Sequence, residues 1–311
     1  MLPHEPVWKT QPPKDFVILR SGVTLAFFLP MPFGDVAAAA LQTFDRYLAG
    51  IPQGVLRWSA VGATAREWKP LAKTTLGRCR TMLTGTGPGT RNLTAFSLTD
   101  GGEGGAAPGH SFQVVGGKPS PRLPHELALV QMTFPSSVLT EDGIEKFVAF
   151  ATHLAEPLPY VSGYGSPALI WSPSDPTAAL RAAWSHAVRC PGYDVDSNEN
   201  GRLRLGARVR GARWLTFLGS ELLAKLDGPA SLQAALPDAV AQSPAGQGTL
   251  LRAGAAPEIG DRDRQQETPL LRAVARVLEP VTQFEESMLL RSPFAASHES
   301  AFLEWERRFL T

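Results

Sequence analysis

The sequence has little cysteine, no basic leader and no long apolar run. Its two cysteines, Cys79 and Cys190, lie far apart and outside any Cys-x-x-Cys pair. This usage is typical of a reducing compartment, and each thiol is expected to be a small buried apolar group. The N-terminus lacks a basic segment followed by an apolar stretch, and Leu25 to Leu29 is too short to span a bilayer. We therefore expect a cytoplasmic protein that is neither secreted nor inserted in a membrane.

Charge of one sign is also lacking, because 30 basic side chains nearly balance 29 acidic ones and leave a net charge of +1. No run of Lys or Arg with interleaved aromatic residues is present, so direct nucleic-acid binding is disfavoured. The apolar content of 43% is ordinary for a globular protein. A chain of 311 residues buries about three quarters of its unfolded surface, so it needs no disulfide, metal or cofactor to form a core.

Motifs for metal and phosphate sites are incomplete. The alternating run Asp194, Asp196, Asn198, Asn200, Gly201 resembles a calcium loop, but position twelve is Ala207 where a bidentate Glu is needed. The glycine-rich segment 85–89 is not followed by Lys-Ser or Lys-Thr, and the six histidines never pair at helical spacing. We therefore predict no metal site and no phosphate-binding loop.

Two strand-then-helix segments give the clearest periodic patterns. Phe16 to Leu29 alternates with period two and predicts a long strand, followed by a helix capped by Asp35 and ended by Gly50. Leu127 to Phe134 predicts a second strand, and Thr140 a cap for a second helix. The apolar face of that second helix is formed by Ile144, Phe147, Val148, Ala151 and Leu154. The repeated order suggests an internal strand-helix duplication.

The segment from 85 to 124 is crowded with glycine and proline, and predicts a flexible loop outside the core that carries a mobile hairpin. Further helices are predicted from Asp175-Pro176 onward, over Trp214 to Leu226, over Leu270 to Leu278 and over Ser300 to Phe309. In the last helix Phe302, Trp305 and Phe309 form the apolar face, and Glu304, Glu306, Arg307 and Arg308 are expected to face water.

Strands and helices in mixed order predict an α+β fold with a mixed or antiparallel sheet and packed helices. We assign residues 1–14 to an N-terminal extension and residues 15–311 to a single α+β domain. The oligomeric state is left open.

Three motifs in the second half resemble the type VI secretion immunity family. Val209–Gly219 contains the run Trp-Leu-Thr-Phe-Leu-Gly, Leu226–Gly228 gives a glycine turn, and Arg252–Asp261 contains Ala-Gly-x-x-Pro-x-x-Gly-Asp. Similarity to the N-terminal half of the family extends further upstream, to Ser162–Gly165, to the strand Leu19–Leu29 with its following helix, and to Trp58, Trp68 and Pro70. The resemblance covers roughly residues 15 to 310 and brings no catalytic residues with it.

What the resemblance implies is a non-enzymatic protein that binds a cognate secreted toxin inside the producing cell. Several members are paired with nuclease effectors, so a nuclease is the implied partner. Because a nuclease needs a basic cleft for phosphates, carboxylates are the expected contacts. Two acidic clusters, together with one aromatic side chain between glycines, are candidates for partner binding: Asp194, Asp196 and Glu199; Glu258, Asp261 and Asp263; and Tyr164. Neighbouring arginines are expected to cancel part of this charge.

Two other classes of function remain open at this point. An enzyme could assemble distant groups such as His153, His186 and Asp261 into one pocket. A scaffolding subunit would instead present a broad surface for self-association.

Overall fold

The fold is organised around one antiparallel sheet. The computed structural model describes residues 7–9, 17–62, 67–84, 93–101, 105–172, 174, 176–195, 198–284 and 304–311. Its strands are β1 Val7–Lys9, β2 Val17–Leu29, β3 Trp58–Val61, β4 Lys69–Pro70, β5 Leu93–Thr99, β6 Ser111–Gly117, β7 Ala128–Pro135, β8 Ser162–Trp171, β9 Leu215–Leu218, β10 Val240–Ala245 and β11 Gly248–Ala253. These strands form a sheet of order β10-β11-β9-β8-β2-β7-β6-β5-β3-β4, with β1 paired to β2.

The helices are α1 Ala37–Gly50, α2 Lys73–Leu83, α3 Ile144–Ala155, α4 Pro176–Arg189, α5 Asn198–Gly201, α6 Ser220–Lys225, α7 Gly228–Ala235 and α8 Pro269–Leu278. Short 3-10 helices lie at Phe33–Asp35, Ser136–Leu139, Arg262–Arg264 and Glu279–Val281. No helix in the described part of the chain is long and apolar enough to cross a bilayer. Helices and an antiparallel sheet together confirm the α+β class.

Strand β2 forms the centre of the main core. Its alternate residues Val23, Leu25, Phe27 and Leu29 are fully buried in one apolar cluster with residues of α1, α2 and α3. Each such side chain stabilises the fold by roughly 1.5–3 kcal/mol through removal from water. The period-two pattern thus identifies a strand with a helix-covered face.

Three smaller clusters lie around this core. One joins Ala26 and Phe28, on the opposite side of β2, to Tyr164 and Leu205. A second joins α4 to the start of β2 and the end of β8, and a third joins α6, α7 and α8 to strands β9, β10 and β11. Tyr164, one of the candidate residues, belongs to the first of these clusters.

Several predicted elements are confirmed, with corrections at two helix starts. Strands β2 and β7 and helices α1, α3, α4 and α8 lie where the patterns indicate. Asp35 does not cap α1, because it ends a 3-10 turn in which backbone carbonyls accept the N–H groups of Asp35 and Val36. Thr140 does not cap α3 through its side chain, because α3 begins after Gly143.

The glycine-rich hairpin lies inside the sheet, not outside the core as its composition suggests. Strands β5 and β6 pair over seven residues, and Phe96, Leu98, Phe112 and Val114 are fully buried in the main cluster. Gly116 and Gly117 therefore belong to a strand inside the sheet. Residues 85–92 and 102–104 lie outside the described part of the chain.

The predicted helix over 214–226 is wrong in its first half, where β9 is a buried strand between β8 and β11. Four buried residues in a row fit either a strand or a helix, so tertiary pairing decides between them. Gly219 separates β9 from α6. An added Cβ there would lie 2.3 Å from the carbonyl oxygen of Tyr160.

The C-terminal segment packs on the body of the protein, as expected for Trp305 and Phe309. Arg308 was expected to face water, yet it is buried and its Nε donates a hydrogen bond to the Pro191 carbonyl. A helical turn is present at 304–306 and residues 307–309 form turns, so this end of the predicted helix is not continuous, and residues 300–303, including Phe302, lie outside the described part of the chain. Strands β2 and β7 are each followed by a 3-10 helix and then by an α-helix. The internal duplication stays a hypothesis.

Candidate functional site

Tyr164 lies in β8 with its side chain in the interior. It pairs with Ala26 on β2 and Thr216 on β9, and the ring is 2% exposed. Its hydroxyl donates to Oδ2 of Asp194 at 2.5 Å, and Nδ2 of Asn198 donates to that hydroxyl at 2.7 Å. The residue between two glycines is therefore a buried hydrogen-bonding group.

Asp194 is the centre of this buried polar network. Its Oδ1 accepts from Nη2 of Arg213 at 3.2 Å, and the two side chains are 3% and 4% exposed. The backbone of Asp194 pairs with β8, because its N–H donates to Pro167 and its carbonyl accepts from Leu169. Asn198 extends the network by donating to Oε1 of Gln131 on β7 at 2.8 Å.

Burial changes the role of the first acidic cluster. Tyr164 and Asp194 offer a partner almost no surface, so their role in this structure is to hold the segment that follows Asp194. Asp196 lies outside the described residues. Glu199 is exposed on α5, one residue after the buried Asn198. Of the described residues in this cluster, Glu199 is the carboxylate that a partner can reach.

Three of the arginines that follow this cluster contact groups other than Glu199. Arg202 is buried, and its Nη1 contacts Oε1 of Glu126 at 2.7 Å. Arg208 donates to the side chain of Gln283, and the guanidinium of Arg210 lies against Gly201. Arg213 likewise donates to Asp194, so these four arginines contact groups other than Glu199.

Asp261 and Arg189 form the centre of the second cluster. Arg189 donates from Nε to Oδ1 of Asp261 at 2.9 Å and from Nη2 to Oδ2 at 2.7 Å. This bidentate contact is the main reason that the pKa of Asp261 falls to about 2. Asp261 also accepts the N–H of Asp263 and so caps the 3-10 helix Arg262–Arg264. Its carboxylate is committed to internal contacts.

Asp263 and Glu258 differ in what they offer. Asp263 is 69% exposed although Oδ2 lies 3.0 Å from Nε of Arg189. Glu258 is half-buried, and its Oε2 accepts the N–H groups of Leu270 and Leu271 at 3.0 Å each. Those are N–H groups of the first turn of α8, so Glu258 stabilises a helix start. Asp263 is the accessible carboxylate of this cluster.

An open groove of about 590 Å³ lies beside Asp263. It is lined by Trp184, Ser185, His186, Val188, Arg189, Arg262 and Asp263. Partial burial, followed by the nearby charge of Arg189, lowers the pKa of His186, so the neutral ring is favoured. The groove combines Trp184 with Arg189 and Arg262, and aromatic residues and arginine are enriched in protein interfaces.

The structure separates the groups proposed for a distant catalytic site. His153 lies on α3, where Nδ1 is 3.2 Å from Glu156 and the carbonyl accepts from Arg46. His186 lies on α4 beside Tyr193, and Asp261 is bound to Arg189. His153 thus has different neighbours from the other two. Within the described residues, no three His, Cys, Asp or Glu side chains are grouped to hold a metal ion.

Sequence reasoning missed the internal partners of the acidic residues. Arg213 and Arg189 were not assigned to Asp194 and Asp261, from which they are 19 and 72 residues away. One available signal was Gln131, a polar residue inside the apolar strand β7. A polar group at a partly buried strand position favours a hydrogen-bond partner inside the protein.

The fold and these surfaces define an α+β protein in which the two accessible candidate carboxylates, Glu199 and Asp263, lie on short helices. The class that matches is the immunity proteins of type VI secretion. The family model TsiV, described as Type VI immunity for VRR-NUC, matches residues 39–309. The chain belongs to this family, and membership implies a type VI immunity protein against a VRR-NUC effector.

One solved structure with the same fold is described as Pseudomonas aeruginosa T6SS protein PA0821. The two are 21% identical with a TM-score of 0.78, over 96% of this chain and 84% of that one. At this identity the likeness supports the fold. No curated protein matches the sequence.

Proposed function

We propose that this protein binds a cognate VRR-NUC effector in the cytoplasm and neutralises it by occlusion, without catalysis of its own. The observation that carries the proposal is the family match over residues 39–309. Inhibition by binding needs a preformed surface and no reacting groups. The hydrogen bonds around Asp194 and Asp261 support such a surface.

The accessible carboxylates suggest where the effector binds. A nuclease holds DNA phosphates with cationic side chains, so acidic groups of an inhibitor can occupy the same cleft and accelerate encounter. Of the candidate residues that the structure describes, Glu199 and Asp263 combine a carboxylate with exposure. We propose these two as contacts, with Tyr164, Asp194, Glu258 and Asp261 as the groups that position them.

Co-expression with the VRR-NUC effector in a sensitive host tests the proposal. Wild-type protein is expected to rescue growth and to co-purify with the effector. Glu199→Lys and Asp263→Lys are expected to weaken the complex at least about tenfold, because each places a cation against a basic cleft. Asp238→Lys is the matched control, since Asp238 is exposed in the turn before β10.

The outcomes separate the claims. No rescue and no complex with the wild type would contradict the immunity function. Rescue with all three variants behaving as wild type would instead contradict the proposed contacts and leave the function standing. Fractionation of the producing cells tests the compartment, and the proposal predicts that the protein stays in the cytoplasmic fraction.

A further inference from the structure

Residues 304–311 pack into two apolar clusters. Trp305 packs in the cluster formed by α4, and Phe309 packs in the cluster formed by α6, α7 and α8. Each ring is 4% exposed. A segment this short could not stay folded alone, so these contacts fix its position.

Arg308 is the buried charged residue between the two rings, with an exposure of 4%. Its guanidinium carbon lies 3.6 Å from the ring centre of Trp305 and 4.5 Å from that of Phe309. Nε donates to the Pro191 carbonyl at 2.7 Å, and Nη1 donates to the Trp305 carbonyl at 3.0 Å. Planar stacking and directed donors are properties of arginine that lysine does not reproduce.

The Pro191 carbonyl belongs to a turn that is pressed against a second loop. The N–H of Gly192 donates to the Ile259 carbonyl at 2.7 Å. A Cβ on Gly192 would lie 2.0 Å from the Glu258 carbonyl oxygen, so the two backbones are in direct contact. The turn therefore lies between the C-terminal segment and the loop that leads to Asp261.

Both acidic clusters are connected to this turn. At one end of the turn Arg189 binds Asp261, and at the other end Asp194 enters the buried network with Tyr164 and Arg213. A shift of the turn would move both clusters at once. A contact that fixes the turn therefore fixes their relative position.

We propose that residues 304–311 are a clasp, in which Arg308 is the positioning residue that holds the turn 190–194 against the loop 258–261. The clasp sets the relative position of the two acidic clusters before the effector arrives. Its consequence for effector binding rests on the proposed function. Its effect on the turn is independent of that function.

The test compares Arg308→Ala and Trp305→Ala with the control Arg307→Ala. Arg307 is the exposed neighbour, with its guanidinium 4.1 Å from the ring centre of Phe284. Hydrogen exchange of the folded variants is expected to accelerate at least about tenfold in peptides that cover 190–194 and 258–261. Effector affinity is expected to fall at least about tenfold, because binding must then order both segments. Arg307→Ala is expected to match the wild type in both measurements.

Unchanged exchange in both folded clasp variants would overturn the inference. If the wild type does not bind the effector, the proposed function is contradicted. The clasp is then tested by the hydrogen-exchange measurement alone. If the clasp variants do not fold, native-state exchange of the wild type replaces them. The clasp then predicts that 190–194, 258–261 and 304–311 open together with one free energy, and separate openings would contradict it.

Discussion

Arg213 donates a hydrogen bond to Asp194 at 3.2 Å, and both side chains are buried where β8, β9 and the segment before α5 meet. The ring of Tyr164 lies under the same guanidinium, 5.3 Å from ring centre to Cζ. A buried cation deprived of its carboxylate costs more free energy than a surface pair contributes.

Asp194→Ala is therefore expected to lower the free energy of unfolding by about 3–5 kcal/mol. Denaturant unfolding followed by circular dichroism measures this change. Glu199→Ala, which removes an exposed carboxylate from the same region, is expected to change the free energy by less than about 0.5 kcal/mol. Equal effects of the two variants would contradict a supporting role for Asp194.

The Asp261–Arg189 pair predicts a pH dependence of stability. The folded pKa of Asp261 is about 2 because Arg189 donates two hydrogen bonds to the carboxylate. The unfolded pKa is near 3.9, so the pair stabilises the fold fully above that pH. The contribution is lost as the pH falls through about 2.

Unfolding free energies between about pH 5 and pH 2 test this assignment. Asp261→Asn is expected to be less stable than the wild type at the higher pH. Its free energy of unfolding is expected to fall less than that of the wild type as the pH is lowered. Asp238→Asn, a change at an exposed carboxylate, is the control and is expected to follow the wild type. The same slope of unfolding free energy against pH for Asp261→Asn and the wild type would contradict the assignment.

Both thiols are expected to resist alkylation in the folded protein. Burial raises the pKa of Cys79 to about 12, and burial is also the main reason that the pKa of Cys190 is raised. The thiolate is the reactive form, so reaction with iodoacetamide at pH 8 should be slow until the chain unfolds. Mass spectrometry of native and denatured samples measures it. Rapid labelling of either thiol in the native protein would be inconsistent with its buried position.

Each of the two strands at the ends of the sheet order contains a proline. Edge strand β4 ends at Pro70, and edge strand β10 contains Pro244 opposite Thr249. Proline has no N–H to offer a further strand, so each edge is a poor template for pairing with another chain.

Pro244→Thr is expected to increase self-association, because it restores an N–H to an exposed edge. Light scattering at rising protein concentration measures this effect. Pro237→Thr, at an exposed residue before β10, is the matched control. Equal scattering by the two variants would show that Pro244 does not protect the edge.

The sequence could predict the elements that carry a long periodic pattern, such as β2 with its alternating Val23, Leu25 and Phe27. It could not assign β9, because four buried residues have no periodicity to separate a strand from a helix. Helix starts were also missed where backbone 3-10 turns supply the capping contacts, as they do at Asp35.

The candidate site was less predictable than the fold for a physical reason. Acidic residues in a polar stretch indicate a surface, but their burial depends on partners that are distant in sequence. In the folded chain Asp194 contacts Arg213 and Asp261 contacts Arg189, and neither pair is adjacent in sequence. Exposure therefore distinguishes Glu199 and Asp263 from the other candidates that the structure describes, and periodicity could not.

The most direct test of the central claim is a nuclease assay with the purified VRR-NUC effector and rising amounts of this protein. We expect DNA cleavage to stop near one molar equivalent of this protein per effector, with formation of a stable complex. The protein alone is expected to leave the DNA intact. Unchanged cleavage in the presence of excess protein, with no complex detected, would contradict the central claim.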